Sequence, residues 1–353
     1  MSAFFSNPTT YNFIRDLLYF SKPLILILVG YFAARKINNW KTIFKIVIYL
    51  GVAYAIYHIV NVIVNVNFKT ASAAGIRATC GLSNILEIFA IALLFLSYKY
   101  PLFNIIKSNK AKNFYLALLL VSFLFYFSRT MFVAIFFLIL GALNYLKINK
   151  KGLKYGVIIL ILFGGFYTYL FSKEFDRKGN GLESFLYKMK IAPSEIFSPK
   201  LDLKNHAALW DHWRAYEAYC AFEGLNKQPT KYINGYGFGS LVDLKFNAPL
   251  SSEGGVQFIP ILHNGYVFIL YKTGIVGLLL YLVFLFALYF KSYSKQNNIQ
   301  SQVFSNLIAS TALYLLFSSL IISGLYNVEE VTAIVLGVFL YLGTNAKLSS
   351  KKS

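Results

Sequence analysis

Two cysteines in 353 residues, Cys80 and Cys220, form no metal-ligand spacing and no disulfide framework. The topology derived below places both outside, where a single disulfide stays open and two unpaired thiols are the plainer reading. His206 and His212 are six apart, so one helical face does not present both, and no third ligand stands near them to make a zinc site. No Asp-x-Asp occurs, which removes the usual metal–nucleotide-sugar platform. A Walker-type glycine loop ending in Lys-Ser/Thr is also missing, so ATP is not the driver. Gly235-x-Gly237-x-Gly239 is not followed by a hydrophobic Rossmann unit and reads as turns. Residues 1–16 lack a basic segment leading into a short apolar core and a small-residue cleavage site. The expectation is therefore no cleavable leader, with the first span acting as its own insertion signal.

Acidic residues are scarce: 14 Asp and Glu against 34 Lys and Arg, a formal charge of +20. In a soluble protein that surplus would suggest nucleic acid. Here no basic, aromatic-interleaved soluble module exists. The lysines instead crowd short loops between apolar runs, where they meet anionic headgroups and set topology.

What the chain does have is apolar length. Hydrophobic residues make up 57% and charged residues 14%, and the mean hydropathy is +0.57. Runs able to cross a hydrocarbon core of ~30 Å recur, predicting an all-α integral membrane protein with about nine transmembrane helices. The runs are Leu17–Ala34, Ile43–Val66, Leu82–Tyr98, Phe114–Phe127, Met131–Leu146, Tyr155–Ser172, His263–Phe290, Val303–Ser323 and Val331–Gly343. A single helix over Phe114–Leu146 would run to about 50 Å at ~1.5 Å per residue. It would also strand either Lys112 or Lys147 on the wrong side, so two helices broken at Ser128-Arg129-Thr130 fit better.

Loops carrying Arg35/Lys36/Lys41, Lys99/Lys107/Lys110/Lys112, Lys147/Lys150/Lys151/Lys154 and Lys291/Lys295 then share one face with Lys347/Lys351/Lys352. The positive-inside rule makes that face cytoplasmic. The opposite connections hold Lys69/Arg77, Arg129 and the acidic pair Glu329/Glu330. Three parts follow: N-terminal membrane helices over 1–172, an extracytoplasmic loop domain over 173–262, and C-terminal membrane helices over 263–353. At about ninety residues the loop is too long for a plain connector. Its aromatic helical stretch Leu209–Tyr219 and the turn-rich Tyr232–Ser240 suggest a lid on the membrane surface.

Four polar residues stand out at the outer face. His263 opens a membrane-grade run directly after the loop, where an imidazole meets water and headgroups at once; the plainer reading is a helix cap. Arg129 lies between two apolar helices, where a charge costs ~2.5–3.5 kcal/mol on the lenient insertion scale. Its guanidinium fork matches two phosphate oxygens, though snorkelling to headgroups would also account for it. Arg77, in Gly75–Gly81, reads either way, and Arg214 lies on the aromatic stretch, where stacking competes with a phosphate role.

Several stretches together resemble the bacterial O-antigen ligase and O-antigen polymerase family. They are Arg77-x-x-x-Gly81 followed by Ser83-Asn84, Ser128-Arg129-Thr130, Trp213-Arg214-Ala215-Tyr216-Glu217, Gly235–Ser240, and His263-Asn264-Gly265-Tyr266 leading to Lys272–Gly277. The last, after a large outer loop, is the most specific. The resemblance extends from about Leu17 to Leu342, and the chain departs from the family in having fewer spans, mainly toward its N-terminus.

The resemblance implies a GT-C-like fold in the bacterial cytoplasmic membrane, no cofactor and no divalent metal. It implies transfer of a glycan from undecaprenyl pyrophosphate to a lipid or glycan acceptor in surface polysaccharide assembly, among membrane lipids and with a chain-length regulator as a further partner. Catalytic roles map onto His263, Arg129 and Arg214, and substrate contacts onto Arg77, Glu217 and Tyr266. Ligase and polymerase use the same donor chemistry and are not separated by these residues. A flippase or other transporter of lipid-linked precursors is the alternative. The long outer loop disfavours it, since transporters place polar residues near the midplane on broken helices.

Overall fold

The computed structural model describes residues 9–79, 81–179, 181–197, 206–251, 254–296, 298–326 and 331–352. Cys80 and the Glu329/Glu330 pair lie outside them. Helices dominate: α1 (Thr10–Ile37), α2 (Trp40–Asn65), α3 (Ala73–Ala78), α4 (Asn84–Lys99), α5 (Asn109–Phe125), α6 (Arg129–Ala142) and α7 (Lys150–Ser172). The segment after α7 carries α8 (Leu182–Ile191), α9 (Ser194–Phe197), α10 (His206–Asp211), α11 (Trp213–Lys227) and α12 (Lys231–Asn234), then strands β1 (Val242–Ser251) and β2 (Gly254–Ile259). Helices α13 (Gly265–Phe290), α14 (Ile299–Ile321) and α15 (Val331–Lys352) follow.

Each of the nine apolar runs is built on a helix, although residues 143–146 fall beyond the end of α6. Several helices start before the apolar stretch because a polar cap, not hydrophobicity, sets their first turn. The Asn39 side chain accepts from Lys41 N and Thr42 N ahead of α2. Ser108 accepts from Ala111 N ahead of α5, and Asn149 from Gly152 N ahead of α7. These are preferred N-cap residues, each typically worth about 1 kcal/mol. The break expected near Arg129 is present: Phe127 takes a left-handed φ of 42° and Ser128 precedes α6.

Five helices are long and apolar enough to cross a membrane by length and composition: Thr10–Ile37, Trp40–Asn65, Gly152–Ser172, Gly265–Tyr293 and Ile299–Ile321. Arg129–Ala142 and Val331–Ala346 are shorter apolar helices. The apolar stretch of α7 is almost wholly exposed, with Leu160, Ile161 and Leu162 projecting outward. Such a surface suits hydrocarbon rather than water.

One element departs from the all-α expectation. Strands β1 and β2 form an antiparallel hairpin with Val242 opposite Ile259 and Asp243 opposite Phe258. Val242 and Leu244 are buried while Asp243 and Lys245 are not, the period-two alternation of a half-buried strand. A register shift follows Asp243. There Lys245 adopts φ 66° and its N–H donates to the Asp243 carboxylate at 2.9 Å.

The chain divides into two compact units. The first comprises Met1–Leu26, Ile191–Ala287 and Leu315–Glu330. Its aromatic core centres on Phe20, with Phe238, Phe268 and Tyr326 at ring distances of 4.9, 5.2 and 4.8 Å. The second comprises Ile27–Lys190, Leu288–Tyr314 and Val331–Ser353. Its core joins Trp40, Phe44, Phe89, Phe103, Phe304 and Phe339, with Trp40 and Phe103 at 4.8 Å.

Candidate active site

In the first unit the His263-Asn264-Gly265-Tyr266 motif starts α13, and each of its residues has a physical task. Asn264 caps the helix, its side-chain oxygen accepting from Val267 N at 3.1 Å. Gly265 lies against the Ser323 backbone, where a Cβ would come within 2.8 Å of the carbonyl oxygen. Tyr266 donates its hydroxyl to the Leu316 carbonyl at 2.5 Å, tying α13 to α14. Tyr266, expected as a substrate contact, thus has its hydroxyl engaged by the helix framework.

His263 is held at three points. Its backbone N–H donates to Glu217 Oε2 at 2.9 Å, and its carbonyl accepts from Ser323 N at 2.6 Å. Its Nδ1 lies 2.8 Å from Glu217 Oε2 and 3.1 Å from Oε1. The His263 side chain is 48% exposed, whereas that of Glu217 is 4% exposed. An ionised carboxylate only accepts, so Nδ1 carries the hydrogen and the neutral ring presents a bare Nε2 lone pair. A fixed, half-exposed imidazole in that tautomer can take a proton from a hydroxyl. Glu217, expected to touch substrate, is spent on orienting this ring.

Glu217 itself sits on α11, whose seat is aromatic. Tyr216 is buried and donates to the Leu244 carbonyl of β1 at 2.6 Å, and burial raises its phenol well above the ordinary value. Cys220, one turn beyond Glu217, is a buried free thiol pushed up to about 11 by desolvation. At the start of α11, Arg214 Nη1 pairs with the buried Glu195 carboxylate at 3.0 Å. His212 Nε2 lies 3.2 Å from Ser194 Oγ, so α9 holds the first turn of α11 twice. On the hairpin, hydrogen bonds from Lys245 and Gln257 bring the Asp243 carboxyl down to about 2.

The two glycine-bearing motifs prove to be one structure. Helix α13 is interrupted at Gly274 (φ 70°, ψ −170°), and the carbonyls freed at Tyr271 and Lys272 accept from Tyr236 N at 2.7 Å and Gly237 N at 3.0 Å. A Cβ on Gly274 would lie 2.0 Å from the Ile233 carbonyl oxygen, and one on Gly235 would lie 2.4 Å from that of Lys272. Lys272, fully buried, donates to Asp16 and to the Ser240 carbonyl, and Gly239 N donates to Asp16 at 2.7 Å. The turns therefore satisfy a broken membrane helix, the condition under which such a break survives in hydrocarbon.

In the second unit α8 gathers the other two arginines. Arg129 Nη1 donates to the Lys188 carbonyl at 2.6 Å, in the last turn of α8, where a cation also suits the helix dipole. Arg77 is exposed on α3, and the start of that helix meets the beginning of α8: Ala73 N donates to Ser184 Oγ at 3.0 Å, and Gly181 N to Ala71 O at 3.1 Å. Among the described residues no group of three or more His, Cys, Asp or Glu could hold a metal ion.

Sequence reasoning joined neither His263 to Glu217 nor Arg214 to Glu195, and it passed over Asp16, Ser323 and Glu87. The signal for Asp16 and Glu87 was available, since each is an acid within or beside an apolar run.

Residues 114–282 match the family model described as O-antigen ligase. The match bears out the resemblance to the O-antigen ligase and polymerase family, and it contains Arg129, Arg214, Glu217, His263 and Tyr266 but not Arg77. No curated protein and no solved structure matches the chain.

Proposed function

We propose that this chain, matched by the O-antigen ligase family over residues 114–282, transfers a glycan from undecaprenyl pyrophosphate to an acceptor hydroxyl at the outer face of the bacterial cytoplasmic membrane. It acts as a ligase when the acceptor is a lipid-anchored core and as a polymerase when it is another lipid-linked repeat. In this reading the nine apolar runs, five of them on helices of full spanning length, build the membrane part in a GT-C-like arrangement.

The single observation that carries the reading is the His263–Glu217 pair, a half-exposed imidazole whose Nδ1 is held by a buried carboxylate. In the reaction His263 Nε2 removes the acceptor hydroxyl proton as the oxygen bonds to the anomeric carbon. The bond from that carbon to the pyrophosphate oxygen breaks, and undecaprenyl pyrophosphate leaves with the electron pair. Glu217 offsets the charge that develops on the imidazole, an arrangement typically worth ~10²–10⁴-fold in rate. Attack opposite the leaving group inverts the anomeric centre.

A pyrophosphate leaving group needs neutralised charge more than a proton. Guanidinium groups preorganised by fixed partners supply it. Arg214, set by Glu195, and Arg129, set by the Lys188 carbonyl, have that character, and the family resemblance assigns them, with Arg77, to this task.

The purified protein, given a lipid-pyrophosphate-linked glycan and an acceptor in EDTA, is expected to release undecaprenyl pyrophosphate and elongate the acceptor. No turnover with any lipid-linked donor would overturn the transferase reading. Turnover lost in EDTA and restored by magnesium would overturn the metal-independent mechanism and move attention to Glu217 and Glu223.

A further inference from the structure

Beneath the arginine-bearing turns of the second unit lies a buried polar network that the reaction above does not use. Glu87, in the first turn of α4, is fully buried. Its Oε2 accepts from Ser122 Oγ at 2.6 Å and its Oε1 from the Tyr126 hydroxyl at 2.8 Å. Ser122 spends its hydrogen on Glu87, so its oxygen accepts from His58 Nδ1 at 2.8 Å. The His58 ring stacks on Tyr126 at 3.8 Å, and Ser122 and His58 are both fully buried. Ionisable groups at such depth are costly and generally mark function.

The location of the network indicates what it does. Tyr126 closes α5, and only Phe127, in a left-handed conformation, and Ser128 separate it from Arg129. On the other side Gly81, four residues after Arg77, packs so closely on Tyr126 that a Cβ there would lie 2.0 Å from the hydroxyl oxygen. One carboxylate thereby fixes the tyrosine on which both arginine-bearing turns rest.

We infer that Glu87 is a positioning residue, acting through Tyr126 and Ser122 to hold Arg129, and with it the Arg77 turn, in the geometry that receives the donor's pyrophosphate. The inference rests on the proposed transferase reading for what the arginines bind, but not for how they are held. Misplacement of a binding group by about 1 Å can cost on the order of 10²-fold in rate.

The test uses the purified full-length protein and the variants Tyr126→Phe, which keeps the ring stack and loses one hydroxyl, and Glu87→Gln. Three quantities are measured: the rate at which phenylglyoxal modifies Arg129, read by peptide mass; inhibition of transfer by inorganic pyrophosphate; and kcat and KM against the lipid-linked donor. Tyr126→Phe is expected to melt close to wild type, to raise Arg129 modification severalfold, and to weaken pyrophosphate inhibition and kcat by about tenfold, with Glu87→Gln larger in each. Unchanged Arg129 reactivity and kcat in folded variants would overturn the inference. So would failure of Tyr126→Phe to fold, which would make the network a stability element. If Arg129→Ala leaves transfer intact, the assignment of Arg129 to pyrophosphate fails, while the phenylglyoxal rates still decide whether Glu87 positions it.

Discussion

The start of α13 around His263 and the helix region around His58 each place a histidine beside a buried glutamate. In the first, Nδ1 meets Glu217 directly and the ring is half exposed. In the second, Nδ1 reaches Glu87 only through Ser122, and the ring is sealed, with an Nε2 that has no hydrogen-bond partner among the described residues. The partners are alike and the second nitrogen differs. A lone pair that faces the medium can receive a substrate proton, whereas an enclosed one costs about 1–3 kcal/mol as an unsatisfied acceptor and gains only packing. Exposure of the ring, not the presence of a His–Glu relay, separates the proposed base from the proposed positioning network.

The largest effect is expected from His263→Ala, which should keep expression and insertion yet abolish long-chain surface polysaccharide. In the purified assay it should lose activity toward the upper end of ~10²–10⁴-fold. Normal polysaccharide from a well-expressed variant would end the general-base assignment. Glu217→Gln comes next, at about 10²-fold, because the amide can donate to Nδ1 and so favour the tautomer whose Nε2 is already protonated. An unperturbed Glu217→Gln rate would mean the pair only anchors α13.

Arg129→Lys should damage transfer nearly as much as Arg129→Ala. A point charge would satisfy headgroups or the α8 dipole, whereas a pyrophosphate needs the planar fork. Lysine restoring most of the donor turnover would make Arg129 an anchor. His58→Phe is smaller still: it keeps a ring on Tyr126 and removes the orphaned nitrogen, so kcat should fall only a few-fold. If it matches His263→Ala, burial of the histidine is not the feature that separates the two regions.

Periodicity and charge bias made the helices legible, because a run's apolar content and its caps are local properties. The hairpin at Val242 was less so. Its short alternation lies beyond the turn-rich Tyr232–Ser240, in a stretch where the sequence pattern predicts no element, and its bulge depends on the Lys245 N–H donating to Asp243. His263, Arg129 and Arg214 could be chosen as candidates from residue type and position at a membrane boundary. Their partners could not, since Glu217, Glu195 and the Lys188 carbonyl are brought in by packing between elements far apart in sequence. Glycines 235 and 274 show the same limit: each motif read as a turn or a helix, and only their mutual backbone contact explains both.

The smallest effect is on Cys220, and it separates chemistry from folding in the first region. Its thiol lies one turn beyond Glu217 on α11, buried, with desolvation pushing it up to about 11 from an ordinary 9.0. Only the thiolate is alkylated, so at pH 8 the shift alone slows modification by about a hundredfold, before steric protection is counted. In a Cys80→Ser background, iodoacetamide should therefore label the folded protein far more slowly than the denatured chain. His263→Ala removes the imidazole from Glu217 but keeps the backbone N–H of residue 263 on it and does not touch the aromatic seat of α11, so Cys220 should stay as slow in that variant as in the parent. Fast labelling in His263→Ala would show that α11 has come away from β1, and the loss of transfer would then report a collapsed loop rather than a missing base.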